Sequence, residues 1–244
     1  SGSTLGVTGA STFDIGFVLI CHATVSNSAN ATLSGVVSGA NTLTKAGAST
    51  LTLSGSNTYA GTTVSAGTLS VASDGNLGSG AVSLAGGSTF AITGATTIDN
   101  AIALTGNATV SNSANATLSG VISGGFNLAK SGASTLTLSG SNTYSGTTTV
   151  SAGTLSVASD SNLGSGGLTL AAGTTLAVTG ATTIDNAVTL SGAATVNTTA
   201  DATLSGNIGG AGSLAKTGAN TLTLSGTNSY AGTTTVSAGT LSIA

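Results

Sequence analysis

Residues 134–166 read STLTLSGSNTYSGTTTVSAGTLSVASDSNLGSG, and residues 49–80 repeat them with 30 of 32 aligned positions identical and one threonine fewer. A third copy opens at Asn220 as NTLTLSGTNSYAGTTTVSAGTLSIA and runs to the last residue. The offsets between copies are 85 and 86 residues. Near-identity at a fixed long period marks an array, a chain in which each unit mainly touches its neighbours.

The pattern extends outward from this block. SGSTLGVTG at 1–9 aligns with GGSTFAITG at 86–94 and AGTTLAVTG at 172–180, and ATVSNSANATLSG is identical at 23–35 and 108–120. The expected organisation is one continuous solenoid through 1–244, with units 1–85, 86–171 and an incomplete 172–244. Both ends fall inside a unit, as they would in a window cut from a longer array. One segment departs from its siblings: 11–22 reads STFDIGFVLICH where the later copies read TTIDNAIALTGN and TTIDNAVTLSGA.

Each unit holds runs of three to six residues with period-two alternation, such as Leu136-Thr-Leu138, Thr154-Leu-Ser-Val157 and Leu168-Thr-Leu170. Ser-Gly, Ala-Gly, Ser-Asn and Asp-containing turns separate them, which is strand-and-corner punctuation. Thr, Val and Ile suit a pleated surface. Gly, Ser, Thr and Asn are poor helix formers, and no 3.6-residue apolar stripe runs through them. A closed barrel cannot be lengthened by adding units, so the fold class expected is an all-β parallel β-helix, or β-solenoid. At about 20 residues per coil a unit makes about four coils, and equivalent residues recur roughly every 19 Å along the axis at strand spacing.

Composition removes several function classes. Three lysines and no arginine at a net charge of −3 leave nothing to neutralise nucleic-acid phosphates. One cysteine forms no intrachain disulfide. The apolar run 17–21 is too short to span a bilayer and lacks a charged leader, so no membrane insertion of this segment is expected.

Lys216-Thr-Gly, Leu222-Thr-Leu-Ser-Gly226, Asn228-x-Tyr230-x-Gly232 and Gly239-Thr-Leu241 follow one another in order, and the same positions recur within 130–155 and 45–69. In that pattern the chain resembles the autotransporter-associated β-strand repeat of bacterial autotransporter passenger regions and related large surface proteins. The resemblance implies a right-handed β-helix stalk, exported and displayed on the cell surface.

The candidate binding residues are those that recur. Lys45, Lys130 and Lys216 would form a row of cations for an acidic polysaccharide; the plainer expectation is one solvated charge per unit. Tyr59, Tyr144 and Tyr230 would stack on sugars from a common face, or else cover a coil corner with the hydroxyl wet. Asn57, Asn142 and Asn228 beside them would hydrogen-bond the turn backbone or stack as ladders. Asp14, Asp99 and Asp185, with Asp74 and Asp160, read as corner caps; the glycine–aspartate calcium repeat is absent. Cys21 and His22 are unique, and neighbours on a strand point to opposite faces, so they form no catalytic pair; a buried Cys and an exposed His are expected. No metal, cofactor or enzymatic activity is expected. The reading is an extracellular structural rod that self-associates head to tail, with an adhesin contacting glycans or surfaces through Thr, Asn and Tyr rows as the alternative. An ice-binding face ranks last, because the Thr147-Thr-Thr149 run recurs only once per unit.

Overall fold

The computed structural model describes residues 2–244. Its short strands, two to five residues each, all pair in parallel with strands one coil away, at separations of 18 to 21 residues. The chain visits three faces in turn and makes about twelve coils. A β-solenoid is the fold.

The first face carries seven strands from Ser3–Val7 to Ile122–Ser123 and resumes with four, from Thr182–Ile184 to Thr240–Ile243. The second carries eleven, from Ser11–Phe13 to Ile208–Gly209. The third begins with the pair Phe17–Val18 and Val37–Ser38 and resumes with eight strands, from Thr96–Ile98 to Thr234–Val236. Alternation decides what faces in. On the second face Leu51, Leu69, Phe90, Val110, Lys130, Val150, Leu170 and Leu190 stack in register down the interior. One residue earlier, Thr50, Thr68, Thr89, Thr109, Ala129, Thr149, Thr169 and Thr189 align outward; the middle threonine of the Thr147-Thr-Thr149 run, Thr148, is buried instead.

Tight corners make the coils small. Gly47, Gly132 and Gly218 turn with φ of 82°, 84° and 82°. A Cβ at Gly132 would stand 2.2 Å from the Asn112 carbonyl oxygen of the coil before. Both the left-handed backbone and the close approach call for glycine.

From Thr89–Ile92 to its equivalent Thr175–Val178 the chain passes eleven strands and two edges without a strand, 142–144 and the 3-10 turn Asp160–Asn162. That is thirteen edges. With three edges per coil, a unit is four coils and one further edge, about 21 Å of axis at strand spacing. The whole-number part is the expected four coils; the remainder turns each unit by one face. Ser3–Val7, Thr89–Ile92 and Thr175–Val178 are equivalent in sequence and lie on the first, second and third faces.

The divergent segment keeps its coil, since Phe17–Val18 pairs with Val37–Ser38. It exposes Ile15, Val18 and Ile20, which replace Asn100, Ala103 and Thr105 of the next unit.

Candidate functional site

The recurring lysines, tyrosines and asparagines do not form surface rows. Lys45 lies on the strand Thr42–Ala46 of the first face, Lys130 on Leu128–Ser131 of the second, and Lys216 on Leu214–Thr217 of the third. All three are fully buried, which overturns both the cation row and the solvated charge. The physical reason is parity: Leu43 and Lys45 are two residues apart on a strand and point the same way, into the core.

Each ammonium meets three backbone carbonyls of two successive corners. Lys130 Nζ donates to Ser131 O, Gly132 O and Ala152 O at 3.1, 2.8 and 3.0 Å. Lys45 donates to Ala46 O, Gly47 O and Ala66 O at 3.0, 2.7 and 2.9 Å, and Lys216 to Thr217 O, Gly218 O and Ala238 O at 2.8, 2.8 and 3.2 Å. An ammonium has three protons and no acceptor, so its bonding capacity is used up here. Burial pulls Lys45 and Lys130 down from 10.5 to about 8, and Lys216 in the same direction. The lysine clamps one corner to the corner of the next coil.

Tyrosines occupy the interior as well. Tyr59 and Tyr144 are wholly buried, rings in the core, and their hydroxyls hydrogen-bond Thr62 and Thr148 at 2.9 and 2.6 Å. The expected wet hydroxyl is therefore dry in both. Desolvation raises both phenol pKa values against the opposing pull of these bonds. Tyr230 is partly buried and repeats the bond, to Thr234. The missing threonine of the first copy falls in the loop between ring and partner, so Thr62 still takes the place of Thr148.

Asparagine stands in for absent strand. At 57–59 and 142–144 no strand forms, and the next coil has a 3-10 turn in the same place, Asp74–Asn76 or Asp160–Asn162. Asn57 Oδ1 accepts the Val37 N–H at 2.7 Å while its Nδ2 donates to Asn76 O at 2.6 Å. Asn76 Oδ1 takes the Ala72 and Ser73 N–H groups, and its Nδ2 reaches back to Gly55 O. Asn142 and Asn162 copy these bonds, and Asn228 Oδ1 accepts the Ile208 N–H at 2.9 Å. Asn57 and Asn142 thus bond the backbone of the turn in the next coil, as one of the two expectations had it, while Asn228 reaches only a strand N–H of the coil before.

Above the 3-10 turn only side chains bridge to the following coil. Asp74 Oδ1 accepts the Asp99 N–H, and Asp160 Oδ1 the Asp185 N–H, both at 3.1 Å. Asn100 and Asn186 each donate to two glycine carbonyls of the coil below. Asn27 and Asn112, fully buried, likewise tie two corners together. The sequence attached no expectation to Asn27, Asn112, Asn100 or Asn186, although the Val25-Ser-Asn27 alternation carries the signal.

The unique pair turns to different partners. Cys21, half-buried rather than buried, has Sγ 3.5 Å from Ser3 Oγ, while the exposed His22 contacts Thr42 Oγ1 at 2.7 Å. A cleft of about 270 Å³ beside them is lined by Leu5, Phe17, Leu19, Cys21, Leu33 and Leu43 among others. Among the described residues no three His, Cys, Asp or Glu side chains gather, and no helix is long and apolar enough to cross a membrane.

Residues 43–71, 128–157 and 214–243 match the model of the passenger-associated-transport-repeat. No curated protein and no solved structure matches the chain. The three matched segments hold the lysine clamp, the Asn-x-Tyr edge and the strand that follows it.

Proposed function

From its three passenger-associated-transport repeats and their solenoid, we propose that this chain is a stiff spacer within an exported bacterial surface protein. The observation that carries the reading is where the repeated side chains go. Lysine and asparagine, which mark each repeat, are consumed in bonds between successive coils, and tyrosine in a bond to a threonine three or four residues further along its own coil. What repeats faithfully is the scaffold, and the outward positions hold Thr, Ser and Ala. Function is then length: each unit adds about 21 Å of rod at strand spacing and holds whatever it carries that much further from its anchor. Head-to-tail continuation, in which a further coil pairs with the last one, extends the same geometry.

The test is a length series. Copies of residues 86–171 are inserted between residues 171 and 172, and the rods are measured by electron microscopy and small-angle scattering. The reading expects about 21 Å per added unit at constant cross-section. A length that fails to scale overturns it. Surface display is tested on intact cells: an antibody against this chain must label them without permeabilisation, and labelling that requires permeabilisation removes the exported part of the reading.

A further inference from the structure

In every unit one face loses its strands once. At 57–59 and the turn Asp74–Asn76, two successive coils lack strands on the third face, and the sheet there stops at Val37–Ser38 and restarts at Thr96–Ile98. One unit later the gap is on the first face, between Ile122–Ser123 and Thr182–Ile184. In the third unit, residues 228–230 follow the last strand of the second face, Ile208–Gly209, and form no strand. Within each gap the ladder of backbone bonds gives way to side-chain bridges and a few isolated backbone bonds, for example Asn57 N–H to Gly75 O at 2.8 Å and Thr58 N–H to Val37 O at 2.9 Å. Coil spacing on that face is therefore set by a different group of atoms than on the other two.

A difference in spacing on one side of a stack tilts the axis. Were the unit twelve edges, all gaps would fall on one face and the tilts would add. With thirteen, successive gaps are displaced by one face of three. Three equal tilts pointing in directions a third of a turn apart sum to zero. We infer that the thirteen-edge unit length is a straightening device, which moves the one irregular edge of each repeat around the rod so that three repeats cancel their bend and no side is the easy direction of flexing.

The inference rests on the rod reading above and goes beyond it, from length to shape. It is tested on rods carrying nine middle units. Deleting residues 101–106 from each copy removes the edge that holds Ile102–Leu104 and leaves twelve edges; duplicating that stretch gives fourteen, and adding it twice gives fifteen. Electron micrographs should show straight rods for thirteen and fourteen edges. The twelve- and fifteen-edge rods, whose gaps align, should arc in one sense, with a total bend that grows in proportion to copy number. If the twelve-edge chain does not fold, the fifteen-edge chain makes the same demand. Straight rods at twelve or fifteen edges, or a uniform arc at thirteen, overturn the inference. Straight rods whose length still scales leave the spacer reading intact, whereas lengths that do not scale remove both.

Discussion

Replacing Lys130 with methionine isolates the lysine clamp. The side chain keeps its length and its apolar stem, while three carbonyls, Ser131 O, Gly132 O and Ala152 O, lose their donor. A buried acceptor without a partner costs about 1 kcal/mol at the low end, so three give about 3 kcal/mol. Against this, the fold no longer has to desolvate an ammonium without any carboxylate beside it. Because the carbonyls converge from two corners already fixed by Gly132 and Gly153, they cannot turn to water, and the lost bonds should dominate. A net loss of about 2 kcal/mol is expected for Lys130→Met. Lys130→Ala removes the stem as well, and at about 0.8 kcal/mol per buried methylene its loss should be larger by roughly 2 kcal/mol. Solenoids open locally, so amide exchange across 128–154, beside a urea melt, is the suitable assay. Native or better protection in Lys130→Met would refute the reasoning, showing that the charge is a burden the fold tolerates and not a clamp.

Asn142→Ala leaves the Ile122 N–H and the Asn162 carbonyl without partners; a loss of about 2–4 kcal/mol is expected, with the Ile122 amide exchanging first, and unchanged protection there would exclude a bridging role. Tyr144→Phe orphans the Thr148 hydroxyl and should cost about 1–2 kcal/mol, most of it recovered in the pair Tyr144→Phe with Thr148→Val, where no polar atom is stranded; equal melting of single and double variants would contradict this. The titrations have opposite signs. Lysines held near 8 when folded and 10.5 when unfolded bind fewer protons in the fold between those values, so stability rises from pH 8 toward 10. Above pH 10 the raised tyrosines bind more protons folded than unfolded, and stability falls. A urea midpoint that peaks near pH 10 is expected, and a flat profile from pH 7 to 11 would count against buried lysine.

Much of this was legible in the letters. The 85-residue self-match and the alternation of Leu136-Thr-Leu138 name a stack of short parallel strands, because only stacking buries one side of every edge. Parity also placed Lys45 beside Leu43 on the inner side, yet residue type argues for solvent, and the two signals conflict. Parity wins because the corner offers three carbonyls that no sequence pattern announces. The Asn-x-Tyr motif was visible, whereas its depth depends on a strand that fails to form there. For the same reason the rotation by one face was hidden. Two of the thirteen edges have no strand alternation, so counting strands gives eleven, and the remainder that turns each repeat is lost.

The register of 18 to 21 residues between paired strands has a kinetic side. Almost every stabilising contact closes a loop of one size, whatever the total length of the chain. The entropy of bringing partners together is then the same for the twelfth coil as for the second, about that of a single short loop. Such a chain can grow by accretion, each finished coil serving as the template edge for the next segment to arrive. Folding in that mode needs no distant partner and starts at whichever end is first free, so a chain delivered through a narrow opening end-first would lengthen as it emerges, and its ordering would oppose its return.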